Sequence, residues 1–135
     1  MSDKFRKNNL KRIKKIISFG ESKVGKGLSK SFNSFIKEFY EDADSKFLNN
    51  SSTDYLFDIA YSSFEFLQVK KSIRKIRVFN PENETAGWKS DRTVIEINSK
   101  DMPFLLDSVI NYIYQNDRIT HEVLHPIIGV ARSNS

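Results

Sequence analysis

Apolar residues in the first half of the chain recur at helical spacing, and in the second half the period shortens toward two. The pattern therefore predicts helices followed by strands. Leu10, Ile13, Ile16 and Ile17 lie among Lys11, Arg12, Lys14 and Lys15, a short basic amphipathic helix that ends at Gly20. Gly20 to Gly27 reads as a flexible loop. Leu28, Phe32, Phe35, Ile36, Phe39, Ala43 and Phe47 then trace one face of a single helix over 29–48. The run Asn49-Asn50-Ser51-Ser52 is a turn, after which Thr53 or Asp54 is expected to cap a third helix. Leu56, Ile59, Ala60, Phe64 and Leu67 form that helix's buried stripe.

After Lys70 the β-branched stretches Ile73 to Phe79 and Arg92 to Asn98 predict two strands. In the second, Thr93, Ile95 and Ile97 alternate with Val94, Glu96 and Asn98. Asn80-Pro81 and Gly87-Trp88 punctuate the loop between them. Asp101 is expected as an N-cap with Pro103 in the first turn, where its missing N–H costs nothing. Met102, Leu105, Leu106, Val109 and Ile113 make the apolar stripe of the helix that follows, to about Asn116. Ile119 to Ala131 is expected to be extended again, broken by Pro126. A strand–helix–strand unit with one neighbouring strand leaves a long unpaired edge, so further sequence or a partner is expected to cover it.

The 135 residues suffice for one ordinary core, and eleven Phe supply apolar surface that disordered chains lack. The absence of cysteine excludes disulfides and thiol chemistry, and no apolar run is long enough to span a bilayer, so a cytoplasmic protein is expected. Charge divides the chain unevenly. Residues 1–37 carry eleven Lys/Arg against Asp3 and Glu21, whereas the remainder is net acidic. The tail residues Lys4, Arg6, Lys7, Lys11, Arg12, Lys14 and Lys15 offer an electrostatic footprint for nucleic acid or an anionic membrane through residues 1–27.

Three patterns touch on chemistry. His121-Glu122-Val123-Leu124-His125 matches the zinc signature H-E-x-x-H, which brings two imidazoles together only on a helix. Pro126 and the flanking β-branched residues favour an extended chain, which would hold those imidazoles far apart, so no metal site is expected. The stretch from Gly20 to Gly25-Lys26-Gly27 approaches a phosphate-cradling loop, but Gly27 stands where a magnesium-binding hydroxyl belongs. Asp101 and Asp107 are explained as helix-start acids rather than a catalytic pair.

Val78-Phe79-Asn80-Pro81, Gly87-Trp88, Thr93-Val94-Ile95-Glu96, the block Asp101-Met102-Pro103-Phe104-Leu105-Leu106-Asp107-Ser108-Val109 and His125-Pro126 follow one another in order. Together they resemble the amino-terminal region of the large bacterial NAD-specific glutamate dehydrogenases. Phe35 to Leu48 looks like the helical lead-in of that family, and the resemblance runs from about residue 30 to residue 132. It implies an ACT-type regulatory domain of ferredoxin-like βαββαβ shape that pairs with another copy. Ile95 to Asn98 would be its first strand, Pro103 to Asn116 its first helix and Ile119 to Ala131 its second strand, the remaining elements lying outside the chain.

The resemblance also implies a small effector, such as an amino acid, at the first strand-to-helix turn: Asp101, Met102, Pro103, Phe104 and Asp107. Lys100 stands where the family often carries a second acidic residue. The catalytic and NAD-binding parts of such enzymes lie downstream, and no G-x-G-x-x-G follows a strand here, so neither catalytic residues nor a bound cofactor is expected in this chain. The reading is an α+β protein: a basic helical tail and flexible loop (1–27), a helical lead-in (28–70) and a truncated ACT-like ββαβ module (71–135). Its expected role is a non-catalytic regulatory or assembly fragment from a split or decayed gene, partnered by itself or by the remainder of the dehydrogenase. The alternative is a stand-alone small-ligand or polyanion-binding module using the basic tail.

Overall fold

The computed structural model describes residues 3–21, 23, 26–68, 75–82, 89–99, 103–126 and 128. The order is α1 (Asp3–Gly20), α2 (Lys26–Tyr40), α3 (Ser45–Asn50), α4 (Thr53–Gln68), β1 (Lys75–Phe79), β2 (Val94–Asn98) and α5 (Leu105–Gln115). Among the described residues this is an α+β arrangement, with four helices ahead of a two-stranded antiparallel sheet.

The first helix forms where its spacing predicts, but it does not stand apart as a tail. α1 packs against α2, α3 and α4. Asn9, Ile13, Ile16 and Gly20 are buried on one side of it, at spacings of four, three and four residues. Full burial of each isoleucine contributes about 1.5–3 kcal/mol, enough to hold a lysine-rich helix on the bundle. Gly20 is required by this packing, since a Cβ there would lie 2.4 Å from Cε2 of Phe57. The loop expected over Gly20 to Gly27 lies in part outside the described residues.

The single helix expected over 29–48 is two. α2 ends at Tyr40 and α3 begins at Ser45. The cause is long-range: the buried Asn9 Nδ2 donates to the carbonyls of Glu41 and Ala43 at 2.9 Å and of Tyr40 at 3.5 Å. Asn9 Oδ1 accepts from Ser45 Oγ at 2.9 Å. Asp44 then caps α3 by accepting from the Lys46 N–H at 2.9 Å. One α1 side chain thus satisfies the carbonyls that the break exposes.

Ser52, rather than Thr53 or Asp54, caps α4, its Oγ accepting from the Tyr55 N–H at 3.3 Å. Thr53 Oγ1 instead receives Arg12 Nη1 at 2.7 Å. The core of the bundle is aromatic. The Phe32 ring lies 5.5 Å from Phe57, 5.4 Å from Tyr61 and 5.2 Å from Phe64, measured between centroids. Phe57 and Ser62 are buried on α4 beyond the predicted stripe, while Ile59 is only half-buried. Tyr40 is fully buried and donates its hydroxyl to the Leu56 carbonyl at 2.8 Å.

The strands form within their predicted spans, in a register that sets Ile76 opposite Ile97, Arg77 opposite Glu96 and Val78 opposite Ile95. Since successive side chains point to opposite faces, this register gives the sheet one apolar and one mixed face. The mixed face, with Arg77, Phe79, Val94 and Glu96, is the half-buried one, whereas Ile76 is 67% and Val78 61% exposed.

α5 begins later than expected. Asp101 and Met102 lie outside the described residues, Pro103 sits in a turn, and the cap is Phe104 with φ 63°. A left-handed residue cannot continue a right-handed helix, so the helix starts at Leu105. It ends in a Schellman arrangement: Asp117 has φ 59°, its N–H reaches the Tyr114 carbonyl, and the Arg118 N–H reaches that of Ile113.

The strand expected over Ile119 to Ala131 is absent from residues 119–126, and the rest lies largely outside the described residues. Leu124 and Ile128 pack instead against the helical core. The bundle offers these two side chains an apolar seat, and Pro126 removes a donor that a ladder would need.

Candidate functional site

The turn from β2 into α5 carries the expected effector residues, and the structure describes three of the five. Pro103 and Phe104 are exposed, Phe104 by 77%, and Asp107 is exposed in the first turn of α5. Among the described residues the first paired amide of this helix start is that of Ser108, which donates to the Phe104 carbonyl at 2.9 Å. No side chain among the described residues caps α5. The amides ahead of Ser108 therefore face outward at the positive end of the helix dipole. Such a turn can receive a carboxylate on its amides, and Asp107 adds an acceptor for a cationic group. The left-handed φ at Phe104 is a strained position for an aromatic residue and holds its ring outside the helix.

The most constrained polar cluster was not anticipated from the sequence. Arg77 Nη2 donates to Glu96 Oε1 at 2.7 Å, to Ser62 Oγ at 2.9 Å and to the Ser62 carbonyl at 3.3 Å. Its guanidinium lies 4.7 Å from the Phe66 ring centroid and 4.5 Å from that of Phe79. This cluster joins the sheet to α4 and explains why the mixed face is turned inward: an ion pair placed under two rings replaces the isoleucines there. Its Nε is buried without a hydrogen-bond partner. The available signal was the facing of an arginine and a glutamate on neighbouring strands, which needs the register to be known.

His121 and His125 are both exposed in a segment without helix, so the spacing that would bring two imidazoles onto one metal does not arise. Among the described residues no group of three His, Cys, Asp or Glu side chains could hold a metal ion. Beside His125, a cleft of about 20 Å³ is lined by Glu38, Phe39, Asp42, Ala43, Leu124 and Pro126. It has room for a water molecule and not for an effector. Burial raises the Glu122 carboxyl above its usual range, with the charge of Asp44 adding to the effect.

The phosphate-loop reading also fails on geometry. Gly20 closes α1 and Lys26 opens α2, so a helix precedes the glycines where such a loop needs a strand. Among the described residues no helix is long and apolar enough to cross a membrane.

Comparison with known proteins gives the cluster and the turn their setting. Residues 35–135 match the family model "Glutamate dehydrogenase, ACT1 domain". The NAD-specific glutamate dehydrogenase of Halomonas elongata is 29% identical over 126 residues, which cover 93% of this chain and 8% of that protein. The enzyme of the same name from Pseudomonas aeruginosa is 36% identical over 59 residues, 44% of this chain and 4% of that protein. The chain thus spans less than a tenth of the length of either relative. No solved structure matches it. With three quarters of its residues inside that family model, the chain belongs to the ACT1-domain family of the glutamate dehydrogenases.

Proposed function

We propose that this chain is the non-catalytic regulatory and assembly region of a cytoplasmic NAD-dependent glutamate dehydrogenase, and that the turn from β2 into α5 takes a free amino acid. The match of residues 35–135 to the ACT1 family carries the reading. The chain itself would hold no NAD, which belongs to the catalytic portion of such an enzyme. In the bound state the effector's carboxylate lies on the amides of Leu105 and Leu106, and its ammonium lies near the exposed carboxylate of Asp107. Pro103 and Phe104 fix the course of the turn, and Asp101 and Met102 are proposed as further contacts of the effector. The partner for the sheet is a second copy or the remainder of the dehydrogenase, since the face built from Ile76, Val78, Ile95 and Ile97 is exposed.

The test is a titration of the purified chain with L-amino acids, followed by backbone amide NMR, alongside an assay for NADH formation from glutamate and NAD⁺. Saturable shifts around residues 103–108, lost in Asp107→Ala, are expected, with no NADH produced. NADH formation by the chain alone would refute the non-catalytic reading. Shifts that never saturate, or that survive the Asp107 change, would refute the effector site.

A further inference from the structure

The two faces of α1 have different employment, and the outward one has no described partner. Its apolar side is consumed by the bundle, with Ile13 1% and Ile16 0% exposed. Two of its cations are engaged by other parts of the chain. Arg6 forms a two-pronged pair with Asp42 at 2.9 and 3.0 Å. Arg12 ties α3 to α4 by donating to the carbonyls of Leu48 and Ser51 and to Thr53 Oγ1. Lys23, just beyond the helix, lies over the Phe19 ring at 4.6 Å. Lys7, Lys11, Lys14 and Lys15 are all exposed and are held by none of these contacts.

Lysines 7, 11 and 15 are each four residues apart, so they climb α1 in steps of roughly 6 Å. That matches the rise of about 6.8 Å between alternate phosphates on one strand of a duplex, taking 3.4 Å for each. Among the described side chains, the exposed side of α1 otherwise carries Asn8 and Ser18, neither of which offers a ring on which an unpaired base could stack. Insertion into a bilayer would need the isoleucines that the bundle has already taken. The division between arginines engaged by other parts of the chain and lysines held by none of these contacts therefore selects a ligand read through backbone charge alone.

We propose that the lysine row of α1 binds the phosphate backbone of double-stranded nucleic acid without sequence preference, independently of any effector at the β2–α5 turn. Four phosphate contacts predict a slope of about −3.6 in log affinity against log salt concentration. The experiment measures binding of the full chain to a 25-base-pair DNA duplex, an RNA duplex of equal length and vesicles containing anionic lipid, across a salt series. The quadruple variant Lys7→Gln, Lys11→Gln, Lys14→Gln, Lys15→Gln is compared with Lys89→Gln on the loop entering β2, and thermal melts verify that both remain folded. Expected are duplex binding with that slope, a loss of at least about tenfold and a flattened slope in the quadruple variant, and little change in Lys89→Gln. Binding to one duplex type alone would assign the ligand to DNA or to RNA. Undetectable duplex binding at low salt, an unchanged quadruple variant, or vesicle binding as tight as duplex binding would overturn the proposal.

Discussion

The helical unit and the sheet with its following helix are built from similar amounts of apolar residue and use them in opposite ways. In the helices, Tyr40, Ile16, Leu56 and Ala60 are sealed completely from solvent. In the second region, Ile76 and Val78 are more than half exposed and α5 has no buried residue at all. The difference lies in closure. Four helices surround one another and can share a single core, whereas two strands have two faces and, among the described residues, α4 alone to cover one of them. The face that α4 does cover is fixed by Arg77, Glu96 and Ser62 rather than by isoleucine. Stability should accordingly be concentrated before residue 69, and the uncovered apolar surface lies after it.

Truncating one residue in each region is the most severe way to break this comparison. Phe32→Ala should cost about 3–5 kcal/mol, because its ring meets four other aromatic rings in the core. Ile95→Ala on the open face should cost well under 1 kcal/mol, surface changes being usually within about 0.5 kcal/mol. Chemical denaturation of the two variants measures both, and equal losses would mean that the open face is covered in solution.

Gly20→Ala should destabilise the helical unit by about 1–3 kcal/mol, since the new methyl would fall 2.4 Å from the Phe57 ring. Combining it with Phe57→Leu should restore part of that loss in the same melt. Asn9→Ala should cost about 1–3 kcal/mol by leaving the carbonyls of Glu41 and Ala43 without their buried donor. Its signature would be faster amide exchange in residues 41–46 with α5 unchanged.

Two smaller effects follow from titration. Burial pushes the Tyr40 phenol well above its ordinary value, with Tyr55 adding to the shift. Its stabilisation is therefore complete below the unfolded value near pH 10 and declines as pH rises beyond it, as ionisation favours the unfolded chain. Tyr40→Phe should remove that alkaline loss while costing about 1 kcal/mol for the hydrogen bond to Leu56. The Asp42 carboxyl is held below its ordinary range by hydrogen bonds from Arg6. The resulting stability is present above the unfolded value near pH 4 and fades as pH falls through the lower folded value. Both groups are exposed, so Arg6→Ala should change the acid limb of a pH melt by less than about 1 kcal/mol.

Local pattern was enough to announce several elements. The spacing of Phe32, Phe35, Ile36 and Phe39 marks α2, and the β-branched runs around Ile76 and Ile95 mark the two strands, because each signal is carried by residues within one or two turns. The block from Asp101 to Val109 carried the family resemblance and pointed to the β2–α5 turn as the place to look. Its strained start, at a left-handed Phe104, was invisible in the residue types, since aromatics rarely adopt that conformation.

What the tertiary structure decided depends on partners far apart in the chain. The interruption of the helix at residues 41–44 is answered by Asn9, more than thirty residues earlier. The lysine-rich start of the chain joins the core because Gly20 lets Phe57 approach, and Arg77 turns the mixed face of the sheet inward because Ser62 and two rings receive it. Residues 119–126 were strand-like by composition, yet Leu124 packs on the helices. Composition sets a segment's preference by fractions of a kcal/mol per residue, and burial of a whole side chain against a ready surface outweighs it.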